Sequence, residues 1–134
     1  MTQINPQTTN ILLAEDDPVN QMVAKINLEQ LGYTQVDVAN NGQEAIDMVA
    51  KKMYDIVLMD VNMPFVNGCV ATQQIRQHEQ QTNSHVPIIA MTADTLTNDL
   101  QTCSEAGMDD VLEKPIAKAK LKQMLDKLLI NDRS

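Results

Sequence analysis

At 134 residues the chain can build one domain with a core of its own, but not two. A formal net charge of −8 argues against direct binding to DNA, RNA or an anionic membrane, and the absence of Trp removes a common anchor for nucleic-acid bases. Cys69 and Cys103 are too few and too far apart for a disulfide framework or a zinc site; with no apolar run near membrane-span length and no signal-peptide pattern in residues 1–10, the chain is expected to be cytoplasmic with reduced thiols.

Residues 1–9 are polar, contain Pro6 and read as a flexible leader to a domain over 10–130, with 131–134 as a tail. The first apolar run, Ile-Leu-Leu-Ala, predicts a strand over 11–15. Asp17 can cap and Pro18 can start a helix over 18–31, in which Val19, Met22, Val23 and Ile26 share a face and which Gly32 suits as an end. A second strand is expected over 35–39, and Asn40-Asn41-Gly42 turns the chain into a helix over 42–52. The third strand, 54–60, carries Tyr-Asp-Ile-Val-Leu-Met-Asp and stops at Val-Asn-Met-Pro, after which Asn67-Gly68 leads into a helix over 67–79. Strands over 86–92 and 109–114 flank a helix over 95–106, where Leu96, Leu100 and Cys103 mark a core face. The last helix, 117–130, places Leu121, Met124, Leu125 and Leu128 on one side. Six of the ten basic residues lie from Lys114 onward against only Asp126 and Asp132, giving +4 there and −12 for the rest. That surplus is either a solvated helix face or a contact face for an acidic partner.

Strict alternation of five strands and five helices implies a parallel sheet covered on both faces. Strands 1, 3 and 4 are continuous apolar runs and belong inside. Strands 2 and 5, Val-Asp-Val-Ala and Asp-Val-Leu-Glu, are broken by acids and belong at the edges. The flavodoxin-like doubly wound α/β order 2-1-3-4-5 satisfies both demands, and such sheets bind ligands beyond the strand ends at the switch point between strands 1 and 3.

The polar groups at those ends are Glu15 and Asp16, Asp60, Thr92 and Lys114, which are acids, a hydroxyl and an amine. Two unit charges about 5 Å apart repel by roughly 3 kcal/mol at an effective dielectric near 20. A hard divalent cation relieves this, and Mg2+ suits one or two carboxylates plus phosphate oxygens. Asp16 and Asp60 are assigned as direct ligands with the main-chain carbonyl of Asn62, and Glu15 through water. Asp60 could then attack a phosphoryl group to give an acyl phosphate, with Lys114 and Thr92 stabilising the phosphoryl oxygens.

These motifs resemble the receiver domain of two-component response regulators across residues 10–130. The matching residues are Ile-Leu-Leu-Ala-Glu15-Asp16, Asp60 with Met63-Pro64 and Gly68, Thr92-Ala93, and Lys114-Pro115; the separations 60 − 16 = 44 and 114 − 92 = 22 match as well. The wording is closest to receivers of hybrid sensor histidine kinases, in Asp17-Pro18-Val19-Asn20-Gln21, in Ala71-Thr72 with Ile75-Arg76, and in Ala106-Gly107-Met108-Asp109-Asp110. The resemblance implies transfer of a phosphoryl group to Asp60 from a histidine on a sensor histidine kinase or a histidine phosphotransfer protein. It implies a signalling domain that catalyses its own phosphorylation and dephosphorylation, and not an enzyme with a separate substrate. It also implies a cis peptide before Pro115 that helps aim Lys114. A downstream protein would read the face made by helix 95–106, strand 109–114 and helix 117–130.

Val111 departs from the family pattern, standing where many receivers carry a Tyr or Phe switch residue that moves with Thr92. Asn67 replaces a frequent Asp, and both can cap a helix. Phe65 is expected to pack in the loop beside Asp60. His78 and His85 read as surface residues, Cys69 as a residue at a helix start, and the nine Met as aliphatic filling. The alternative reading is a receiver-like interaction module that works without phosphorylation. An aspartate-nucleophile phosphatase lacks its second acid and cap domain, and a flavin phosphate would be repelled by Glu15-Asp16-Asp17.

Overall fold

The computed structural model describes residues 5–61, 63, 67–92, 106–114 and 116–132. Before the sheet, in the stretch read as leader, Asn5 caps a 3-10 turn at Pro6–Thr8, and the Thr9 hydroxyl donates to the Asn5 carbonyl at 2.8 Å. Gln35 Nε2 donates to the Gln7 carbonyl, so residues 5–9 are tied to the body, and Thr9 is buried.

The strands are β1 (Asn10–Ala14), β2 (Gln35–Ala39), β3 (Ile56–Asp60), β4 (Ile88–Thr92) and β5 (Asp110–Glu113). They form one parallel sheet in the order β2-β1-β3-β4-β5, the order expected from the sequence. Every residue of β3 and β4 is buried, while β2 and β5 are mostly half-exposed, as edge strands should be. The helices are α1 (Pro18–Gln30), α2 (Gly42–Lys51), α3 (Gly68–Thr82) and a C-terminal helix (Lys118–Asp132). The helix expected over 95–106 lies outside the described residues except at Ala106. Among the described residues no helix is long and apolar enough to cross a membrane.

Alternation along β1 sends Ile11 and Leu13 to one face and Leu12 and Ala14 to the other. The first face packs Leu28 of α1 and Leu121, Leu125 and Leu129 of the C-terminal helix; the second packs Ala45 of α2 and Ala71 and Ile75 of α3. Each fully buried Leu or Ile side chain contributes roughly 1.5–3 kcal/mol. On α1 the row that identified the helix is not the buried one. Ala24 and Leu28 face the sheet, whereas Val19 is 66% and Met22 61% exposed, with Val23 and Ile26 beside them.

Two strands begin later than their apolar runs. β3 starts at Ile56, just after Asp55, whose carboxylate accepts from the Asn10 amide at 2.8 Å. β4 starts at Ile88 because Pro87 has no amide proton and the Val86 amide donates to Glu79 Oε2. α3 runs three residues beyond its expected end and stops at Asn83, which takes the left-handed conformation at φ 54°.

Candidate functional site

The parallel register assembles the site in steps. Ala14 lies opposite Met59, so Glu15 and Asp60, each one residue further, become neighbours at the strand ends. Asp60 lies opposite Met91, which sets Thr92 one step beyond it, and Thr92 lies opposite Glu113, which sets Lys114 one step beyond that. Backbone pairing holds these overhangs: Glu15 donates to the Ala39 carbonyl at 3.0 Å, Val61 to Met91 at 3.0 Å and Lys114 to Thr92 at 2.8 Å.

Carboxylate oxygens of Glu15, Asp16 and Asp60 lie within 4.8 Å of one another. Lys114 Nζ stands 2.9 Å from Glu15 Oε1 and 3.0 Å from Asp60 Oδ1. Glu15 and Asp60 are each 2% exposed, Thr92 is buried, and Asp16 is open to solvent. Burial pushes the Glu15 carboxyl up, and its hydrogen-bonding contact with Asp60 adds to that; Lys114 and the Asp17 amide offset it only in part. Burial alone would lower the Lys114 ammonium, but hydrogen bonds to Glu15 and Asp60 outweigh it and leave the ammonium raised. Three carboxylates against one ammonium form an all-oxygen, electron-rich cluster that fits a hard divalent cation.

The helices hold the cluster from outside. Asp17 caps α1 by accepting from the Val19 amide, and Asn67 caps α3 by accepting from the Val70 amide, both at 2.9 Å. α3 then runs against the phosphoacceptor candidate itself. A Cβ added at Gly68 would sit 2.2 Å from the Asp60 carbonyl oxygen, so only glycine fits there. Gln21 Nε2 donates both to the Glu15 carbonyl and to Asn40 Oδ1, the latter at 2.9 Å, and so joins the loop after β1 to the loop after β2.

Of the residues singled out from the sequence, Glu15, Asp16, Asp60 and Lys114 converge, and the register sets Thr92 at the same end of the sheet. Val111 is half-buried beside Ala90 and Ala106 and does not enter the cluster. Asn62, Phe65, Cys103 and Pro115 lie outside the described residues.

A second polar cluster was not foreseen. Arg76 Nε donates to the Gly107 carbonyl at 2.9 Å, one terminal nitrogen to Glu79 Oε1 at 2.6 Å and to the Val86 carbonyl, and the other to Asp109 Oδ2 at 2.8 Å. Asp109 also accepts from the Ile88 amide and pairs with His85 Nε2 at 2.9 Å. The two short stretches around Arg76 and around Asp109, apart in sequence, thus form one clamp at the entry to β4 and β5. The signal for it was the presence of a lone Arg on α3 and a Gly-x-Asp ahead of the last strand.

A family model for the response regulator receiver domain matches residues 11–126. Histidine kinase 5 of Arabidopsis thaliana is 40% identical over 143 aligned residues, which cover 89% of this chain and 15% of that protein. The chain therefore spans only a small part of the curated relatives it matches. Among solved structures, the receiver domain of the sensor histidine kinase PA1611 from Pseudomonas aeruginosa, with a magnesium ion in its active-site cleft, superposes with a TM-score of 0.82 at 40% identity, covering 90% of this chain and 97% of that one. A chain in the co-crystal of the Saccharomyces cerevisiae histidine phosphotransfer protein Ypd1 with the receiver domain of Ssk1 gives a TM-score of 0.84 at 27% identity, covering 90% and 88%.

Proposed function

The chain belongs to the response regulator receiver domain family, and from that premise we propose that Asp60 accepts a phosphoryl group from a histidine on a sensor histidine kinase or a histidine phosphotransfer protein. The observation that carries this is the Asp60 carboxylate, 2% exposed, held at a strand end by Lys114 with Glu15 and Asp16 beside it. An Asp60 oxygen bonds to phosphorus as the phosphorus–nitrogen bond to the donor imidazole breaks. The bonding pair returns to the ring nitrogen and the product is an acyl phosphate. Lys114 neutralises charge on the phosphoryl oxygens and the Thr92 hydroxyl donates to one of them.

Magnesium fits the same cluster: Asp16, Asp60 and the main-chain carbonyl of Asn62 would hold it directly and Glu15 through water. When bound it neutralises charge on the transferring group and relieves repulsion among the carboxylates. The magnesium-bound receiver at 40% identity supports this. The exposed row Val19, Met22, Val23 and Ile26 on α1, starting three residues past Asp16, supports docking of the donor protein beside the cleft. The new phosphoryl charge would bias a two-state equilibrium in the face that includes β5 and the C-terminal helix. Moving that equilibrium from 1:99 to 99:1 takes about 5.5 kcal/mol. The domain acts as a self-catalysing phosphoacceptor in the cytoplasm and does not turn over a separate substrate.

Intact mass after exposure to phosphoramidate tests the reading. Wild type with magnesium should gain one phosphoryl group, and Asp60→Asn or wild type with chelator none. A folded wild type that takes no phosphoryl group, under conditions that load another receiver, would instead favour a phosphorylation-independent interaction module.

A further inference from the structure

Helix α1 runs in step with the segment that carries Lys114. Asn20, Val23 and Ala24 from the helix, and Lys114 and Ile116 from that segment, line one cavity of about 80 Å3 closed by Leu13, Glu15 and Met91. One turn on, Asn27 Nδ2 donates to the Ile116 carbonyl at 3.2 Å. Three residues further, Gln30 Oε1 accepts from Lys118 Nζ at 3.1 Å. Positions 20, 23, 27 and 30 follow helical spacing, so one flank of α1 faces residues 114–118 throughout.

Two facts single out Asn27 on this flank. The cavity leaves part of the space between the helix and Lys114 unfilled, so dispersion contacts there are incomplete. Asn is also a weak helix former, and an apolar residue would serve packing at least as well at a half-buried position. What Asn27 adds is a donor aimed at the carbonyl two residues past Lys114, where the chain has left β5 and the C-terminal helix has not yet begun.

We propose that Asn27 is a positioning residue for Lys114: its amide fixes the Ile116 carbonyl and so keeps the Lys114 ammonium between the carboxylates of Glu15 and Asp60. This rests on reading Asp60 as the phosphoacceptor. The residue would act through Lys114 and touch neither the phosphoryl group nor magnesium.

The test is a double-mutant cycle on the rate of Asp60 phosphorylation by phosphoramidate, read by intact mass. Asn27→Leu, which keeps the branched shape but has no donor, should slow wild type about five- to ten-fold, the scale of one neutral hydrogen bond. In a Lys114→Ala background the same substitution should have no further effect. Equal slowing in both backgrounds, or none in wild type, overturns the proposal; Asn27→Ala replaces Asn27→Leu if circular dichroism shows the latter unfolded. The 15Nζ resonance of Lys114 gives a second readout that needs no phosphoryl donor. It should shift in the Asn27 variant, and an unmoved resonance overturns the proposal. A wild type that takes no phosphoryl group would count against the reading of Asp60 and leave the positional claim to be decided by that resonance.

Discussion

Gly68 and Asp60 belong to different elements, yet the backbone of one decides the position of the other. α3 begins so close to β3 that a methyl group at residue 68 would lie 2.2 Å from the Asp60 carbonyl oxygen and 2.9 Å from its carbon. Neither atom can move without shifting the strand end that presents the carboxylate. Gly68→Ala is therefore expected to destabilise the domain by about 1–3 kcal/mol, the usual cost of forcing an extra carbon into a packed site. It should also slow phosphorylation of Asp60 in the fraction that stays folded. Urea unfolding and intact mass check the two halves, and wild-type behaviour in both would remove the steric argument. The acids, Thr92 and Lys114 were legible in the sequence because a parallel sheet places whatever follows each strand at one end. Gln21 and Asn27 were not, because their reach depends on how α1 is rotated about its axis, and the residue pattern of that helix pointed elsewhere.

Spacing identified α1, but its most apolar row faces solvent, and Ala24 and Leu28 meet the sheet instead. Periodicity reports an amphipathic helix; it does not say whether the apolar side meets the core or a partner. The C-terminal helix shows the simpler case, in which Leu121 and Leu125 from the expected row are fully buried. Edge strands were legible from their interrupting acids, and Asp37 of β2 shows what such an acid can do. It accepts from Lys52 Nζ and from the Tyr54 hydroxyl, both at 2.8 Å, and ties β2 to the chain entering β3. The Lys52 hydrogen bond first, then that of Tyr54, holds the Asp37 carboxyl below its usual range. A depressed carboxylate adds stability above its unfolded value and loses it as pH falls through the folded one. Asp37→Asn should cost less than about 1 kcal/mol near neutral pH, since the pair is largely solvated. The gap to wild type should close below the ordinary Asp value of about 3.9. Urea midpoints for both proteins across that range test it, and a gap that widened on acidification would contradict it.

Across the whole molecule the two ends of the sheet do different work. The carboxyl ends of the strands gather charge at a cleft, while the Arg76, Glu79 and Asp109 clamp closes the entry to β4 and β5. Beside the cleft, α1 exposes the apolar row proposed above to dock the donor protein. Met22→Glu should therefore change stability by no more than about 0.5 kcal/mol, as for an ordinary surface position. It should leave phosphorylation by phosphoramidate unchanged and slow transfer from a phosphorylated histidine phosphotransfer protein. Equal slowing with both donors would place the effect in the cleft and not at a docking surface.

The most direct measurement is the position of the phosphoryl group on the chain. Phosphorylated protein is reduced with borohydride, which converts an aspartyl phosphate to homoserine, and then digested and sequenced by mass spectrometry. Homoserine is expected at residue 60 and at no other acid. Modification at Glu15, Asp16 or Asp17 in place of Asp60 would contradict the reading of Asp60 as the phosphoacceptor.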